Sequence, residues 1–79
     1  MIIMFAVEQN EYVVSCDVDA MGGVGAVFFG TREQAMRFED AGCALAYWKL
    51  QSRVRPIRPD GKPNRPLTAL TVELQRVEE

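Results

Sequence analysis

The stretch TREQAMRFEDAGCAL, residues 31–45, decides how the chain reads. Thr31 and Gln34 have the spacing of a capping box, in which each side chain satisfies an orphan backbone donor at a helix start. Beyond them Ala35, Phe38, Ala41 with Gly42, and Leu45 recur at three- and four-residue steps and form one apolar stripe. Arg32, Glu33, Arg37, Glu39 and Asp40 fall on the other side. The spacing predicts one amphipathic helix over 31–45. Strand periodicity flanks it, so the helix is expected to cover one face of a sheet.

Upstream, residues 2–7 are continuously apolar, which suits a strand placed centrally or covered on both faces. EQNE at 8–11 reads as a polar turn, with Asn10 able to adopt a left-handed conformation. Tyr12, Val14, Cys16 and Val18 then alternate with Val13, Ser15, Asp17 and Asp19, a half-buried strand that completes a hairpin. Ala20-Met21-Gly22-Gly23 interrupts the pattern, and 24–29 resumes it as a third strand carrying Phe28 and Phe29.

Downstream, Trp48, Leu50 and Val54 alternate with Lys49, Gln51, Arg53 and Arg55, which predicts a strand over 47–57. A helix continuing to Ser52 competes with it, because Leu45 and Trp48 also have helical spacing. Gly42 and the later β-branched and aromatic content favour the strand. RPDGKPNRP at 58–66, with Asp60-Gly61 as its turn signal, reads as a projecting hairpin loop. Leu70, Val72 and Leu74 alternate with Thr71, Glu73 and Gln75 as the last strand, and 77–79 is expected to fray. The predicted fold class is α+β: one domain over 1–79, an antiparallel sheet of about five strands ordered β-β-β-α-β-β, and a single helix on one face. The opposite face, assigned Lys49, Arg53, Arg55, Thr71, Glu73 and Gln75, is expected to be wet or to bind a partner.

At 48% apolar and 25% charged residues the chain is ordinary for a globular domain and far from disorder. Two cysteines, Cys16 and Cys43, with no histidine point to a reduced, cytoplasmic protein rather than a disulfide scaffold. A Cys16–Cys43 bridge is the minor alternative. MIIMFAV is too short for a membrane span and has no basic flank for a signal, so no membrane association is expected. The net charge of −2 conceals segregation. Residues 1–48 carry seven acids against Arg32 and Arg37, whereas 49–65 carry Lys49, Arg53, Arg55, Arg58, Lys62 and Arg65 against Asp60 alone.

Catalytic and metal chemistry find little support. GGVG at 22–25 precedes a strand rather than the helix a dinucleotide-binding loop requires. The cysteines have no histidine as base or co-ligand and no Cys-x-x-Cys spacing, so they read as small hydrophobes. Asp17 and Asp19 would share a strand face and could hold a divalent ion or work as acid and base, but solvated charge is the better reading. Ser15, Ser52, Tyr12 and Tyr47 have no visible activating base. The expectation is no enzyme, no metal and no cofactor.

The basic segment is the candidate partner-binding site: Lys49, Arg53, Arg55, Arg58, Lys62 and Arg65. Arginine is favoured where planar carboxylate or phosphate groups are recognised in bidentate fashion. The bland reading is a solvated face with arginine paired to Glu73 across a hairpin. Nucleic acid is the less favoured partner, because the chain is acidic overall and no aromatic alternates with the basic residues to stack bases. Glu8, Glu11, Asp17 and Asp19, read as clustering at one hairpin end, form a weaker second candidate.

The strand Ala26-Val27-Phe28-Phe29, followed by Gly30-Thr31-Arg32-Glu33-Gln34-Ala35 and then Phe38 and Leu45, resembles the core of small α+β proteins encoded by phages and mobile elements. Among these, the anti-CRISPR inhibitors are similar in length, single-domain build and charge segregation. The resemblance is architectural and carries over no functional residue. It implies a stoichiometric binder, monomeric or homodimeric, acting in the host cytoplasm. Such a binder blocks a host defence complex, a CRISPR effector, at a nucleic-acid-binding or subunit-contact surface. The alternative is a small nucleic-acid-binding or regulatory module using the same 49–65 segment.

Overall fold

A computed structural model describes residues 1–78, arranged around a four-stranded antiparallel sheet. In chain order the elements are β1 (Ile2–Ala6), β2 (Glu11–Asp17), a single turn α1 (Ala20–Gly23), β3 (Ala26–Gly30) and a 3-10 turn (Arg32–Gln34). The helix α2 (Ala41–Trp48), a second 3-10 turn (Pro66–Ala69) and β4 (Val72–Arg76) follow. The strands lie in the order β3-β2-β1-β4. The uninterrupted apolar run of β1 has its explanation here, since β1 is central and Ile3, Met4 and Ala6 are fully buried. The β1–β2 turn forms as expected, with Asn10 left-handed at φ 55°.

Along β2 the simple alternation fails. A bulge between Val13 and Ser15 shifts the register against β3 and turns Val13 into the core. Past the bulge β1 and β2 separate, and their pairing covers only Phe5↔Tyr12 and Ala6↔Glu11. Residues 36–38 fill the gap. The Met36 amide donates to the Val13 carbonyl at 3.1 Å, and Phe38 and Ile2 exchange two backbone hydrogen bonds of 2.8 Å.

That strap overturns the helix predicted over 31–45. The Thr31–Gln34 pair does form, with the Thr31 amide donating to Gln34 Oε1 at 3.0 Å, but it closes only a 3-10 turn. At Ala35 the backbone turns extended, with ψ 140°. Backbone groups freed by the bulge need partners, and residues 36–38 supply them only in extended form. The helix starts instead at Asp40, whose carboxylate accepts from the Cys43 amide at 2.8 Å, the usual N-cap role of aspartate. Ala35 and Phe38 are buried as expected, but on the strap; within α2 Ala44 faces the core and Leu45 is half-exposed.

The strand predicted over 47–57 does not form. The helix runs to Trp48, nearer the competing reading, and residues 49–65 follow as an irregular loop. The sheet therefore has four strands rather than five, and β4 pairs with β1 from Ile2↔Arg76 to Ala6↔Val72. Leu70 closes the second 3-10 turn instead of opening β4. Val77 is tied to Met1 by a 2.8 Å backbone bond, so fraying does not begin there, and Glu79 lies outside the described residues.

Beneath the helix the core is Met4, Ala6, Val13, Phe38 and Ala44, extended by Phe29, Tyr47 and Leu74. The sheet face away from α2 carries none of Lys49, Arg53 or Arg55, which belong to the loop. It presents Phe5 and Tyr12, whose rings lie 5.0 Å apart, and Gln75, whose Oε1 accepts from Tyr12 Oη at 2.9 Å and Arg32 Nη1 at 3.3 Å. Among the described residues Glu73 pairs with no arginine across a hairpin; it accepts from Gln75 Nε2 at 3.3 Å. Among the described residues no helix is long and apolar enough to cross a membrane.

Candidate functional site

The loop after α2 is irregular but well anchored, and two elements of the β2–β3 connection hold it. The first is Asp19. Its Oδ1 accepts from the Arg53 amide at 2.7 Å, the Val54 amide at 3.1 Å and the Ser52 hydroxyl at 3.0 Å. Ser52, only 1% exposed, also accepts from the Arg55 amide at 3.1 Å, so a buried hydroxyl and one carboxylate arrange four successive residues. The second element is the glycine run. Gly23 sits at φ +99°, and a Cβ there would lie 2.5 Å from Arg55 Cβ. Gly25, at φ +88°, would meet Pro66 at 2.6 Å. GGVG is thus a strand connection, as its context suggests, and also the seat on which the loop docks.

Asn64 closes the loop from its far side. Its Nδ2 donates to the Gly23 carbonyl at 2.6 Å and the Arg55 carbonyl at 2.8 Å, and its backbone pairs with Ser52 and Pro56. Beyond Pro56 the tip is a small hairpin, with Ile57 bridged to Pro63 and the Arg58 amide bonded to the Lys62 carbonyl at 2.8 Å. Gly61 takes φ +84° at its turn, where Asp60-Gly61 predicted one. The Asp60 carboxylate pairs with Arg58 and accepts from the Lys62 amide at 3.0 Å. The Lys62 amide first, then Arg58, hold the Asp60 carboxyl below the ordinary carboxylate range.

No known protein family, curated protein or solved structure matches this chain. The chemistry of the site rests on its own side chains. Lys49, Arg53, Arg55, Arg58, Lys62 and Arg65 are all exposed, and among the described residues only Arg58 of the six is in an ion pair. Arg55 and Arg58 border a cleft of about 180 Å³ with Gly23, Val24, Pro59 and Asn64. Apolar side chains stand exposed among these cations: Val24 at 65%, Val54 at 63% and Ile57 at 52%. Sequence periodicity assigned Val54 to a buried strand face, so this mixed surface was not foreseen. Asp19, Ser52 and Asn64 were also missed as anchors, because their partners are more than thirty residues away for Asp19 and Ser52 and forty-one away for the Asn64–Gly23 contact.

The other candidates look different in place. Asp17 and Asp19 do not share a strand face. β2 ends at Asp17, whose Oδ1 accepts from the Asp19 amide at 3.0 Å, and the Asp19 carboxylate turns to the loop. Glu8 and Glu11 lie at one end of β2 and Asp17 and Asp19 at the other, so the four acids form no single cluster. Cys16 and Cys43 are free thiols. Cys43 is exposed rather than buried, and the backbone of Cys16 is held by the Tyr47 hydroxyl at 2.9 Å.

The Val54 amide, then the Arg53 amide, hold the Asp19 carboxyl below the ordinary carboxylate range, with the Ser52 hydroxyl and the Arg53 charge adding to them. A carboxyl depressed in the folded state contributes order that is fully present above its unfolded pKa and lost as pH falls through its folded one. Acidification should therefore release the loop before the sheet. Amide NMR signals of Arg53 and Val54 should titrate with Asp19 and move toward disordered positions, while those of β1 stay fixed. Asp19→Asn should remove that titration; if it persists in the variant, Asp19 is not the anchor.

Proposed function

We propose that this chain is a non-enzymatic binding protein that docks on an acidic surface of another protein through residues 49–65, as an inhibitor of the anti-CRISPR type. The observation that carries the reading is the composition of the anchored loop and its seat: exposed arginines, of which among the described residues only Arg58 is in an ion pair, interleaved with exposed Val54 and Ile57 and beside exposed Val24. Protein interfaces combine apolar contact with arginine in this way, and a rigid loop loses little conformational freedom on binding. Nucleic-acid binding, the second reading, would be served by aromatic platforms among the cations, and the apolar residues here are aliphatic. Within this proposal the loop steers association and blocks a nucleic-acid or subunit contact of a host defence complex such as a CRISPR effector.

The test is charge reversal. Arg53→Glu with Arg55→Glu should weaken capture of the partner from a CRISPR-bearing host by about a hundredfold or more, since like charges across an interface cost several kcal/mol. The fold should survive, because exposed charges contribute under about 1 kcal/mol each. Wild-type binding should also weaken as salt rises. Binding to labelled nucleic acid at physiological salt, abolished by the reversal, would favour the nucleic-acid module. Unchanged inhibition by the double variant would exclude the loop.

A further inference from the structure

A different region carries a separate inference, at the sheet edge farthest from β3. The backbone bonds from Val7 to the Thr71 carbonyl and from Val77 to the Met1 carbonyl fix the phase of the β1–β4 ladder. In an antiparallel ladder bonded pairs alternate, so Thr71, Glu73, Gln75 and Val77 spend their backbone groups on β1. Val72, Leu74 and Arg76 then direct their N–H and C=O groups outward at a free edge. Natural edge strands are guarded by short length, by charged side chains, above all lysine, by proline or by a bulge. Of these β4 has only its five-residue length and the charges of Glu73 and Arg76. The sequence of β4, VELQR, has no lysine or proline, and its register with β1 is continuous.

Beside that edge lies a groove of about 400 Å³ whose apolar walls are Leu45, Trp48, Leu70, Val72 and Leu74. Leu45 is 44% exposed, and the Trp48 indole N–H is buried without an acceptor among the described residues. The occupant is set by the charges along the strand. An antiparallel copy of β4 centred on Leu74 pairs Leu74 with itself and Val72 with Arg76, all through outward-facing backbone groups. It also places Glu73 opposite Gln75 of the other copy, the amide-to-carboxylate pairing these two residues already make within one chain. No like charges meet in this register, whereas centring on Glu73 would oppose two carboxylates.

We propose that a second copy of this chain docks on β4, joining two sheets edge to edge about a two-fold axis through Leu74 and covering the Leu45–Trp48 groove on each side. The interface is isologous and uses none of the 49–65 cations, so it stands independently of the function proposed above.

Sedimentation velocity on the full chain, with amide hydrogen exchange, tests this. The wild type should dimerise, and the Val72, Leu74 and Arg76 amides should gain protection as concentration rises. Gln75→Glu keeps the acceptor used by Tyr12 and Arg32 but sets a carboxylate beside Glu73 of the other copy twice, and should raise the dimer Kd about tenfold or more. Adding Glu73→Lys to that variant makes both contacts attractive and should restore the dimer. A chain that stays monomeric to about 1 mM, far above the range of specific association, overturns the proposal. So does a dimer indifferent to Gln75→Glu, or one that leaves the Leu74 amide unprotected.

Discussion

Phe38→Ala should destabilise the fold by about 3–5 kcal/mol, the range for truncating a buried aromatic side chain. Phe38 is 8% exposed, its ring lies 5.3 Å from that of Tyr47, and it sits in the cluster that joins β1 to α2. Its backbone also completes the split between β1 and β2 through Ile2. The side chain is what holds the strap down, so its loss should weaken the strap and the helix packing together. Small domains are stable by only about 5–15 kcal/mol, so the variant should unfold at much lower urea. A loss below about 1 kcal/mol, well under the cavity range, would show that residues 35–38 are not part of the core.

Gly23→Ala should be the most damaging change at the loop seat, and two costs contribute. A non-glycine residue at φ +99° is strained by about 1–3 kcal/mol. In addition its Cβ would stand 2.5 Å from Arg55 Cβ and 3.2 Å from Ser52 Oγ, so the loop must move. Gly22→Ala separates the two costs, because Gly22 also has positive φ, +68°, but nothing lies within 4 Å of a Cβ there. The Gly23 variant should lose about 1–3 kcal/mol more than the Gly22 variant, the range for overpacking. It should also lose the amide positions of Arg53 and Val54. Equal losses in the two variants would mean that the loop does not rest on Gly23.

Local signals in the sequence held wherever the structure is local. The turn at Asn10 and the hairpin tip at Asp60-Gly61 each depend on neighbours a few residues away. The central place of β1 showed in its unbroken apolar run, although its partner β4 is distant in sequence. The capping-box spacing of Thr31 and Gln34 was also real, but what stops the helix at Ala35 is a carbonyl on Val13, freed by a bulge with no visible sequence signature. The strap buries Ala35 and Phe38 by extended geometry, so their helical spacing was a coincidence of positions on two different elements. The 47–57 strand was a misreading that Pro56 could have prevented, because proline demotes a strand to an edge or ends it. For the site, the six cations were legible as a charge block. The anchoring by Asp19, Ser52 and Asn64 was not, since it joins segments more than thirty residues apart.

The placement of β1 between β2 and β4 has a consequence for how the protein is made. Of the four strands β1 is made before the others, yet one of its two neighbours, β4, is made after them, with Ile2 paired to Arg76. A β1–β2 hairpin held by two residue pairs gives little independent stability, as isolated hairpins are marginal in water. Until residues 36–38 and then β4 arrive, Ile3 and Met4 have no complete shelter. Folding of the sheet must therefore wait until β4 has been made, and contacts so distant in sequence slow it further. During synthesis the nascent protein carries an open apolar strand, a natural target for chaperones. The strand that is made first is the last to be finished.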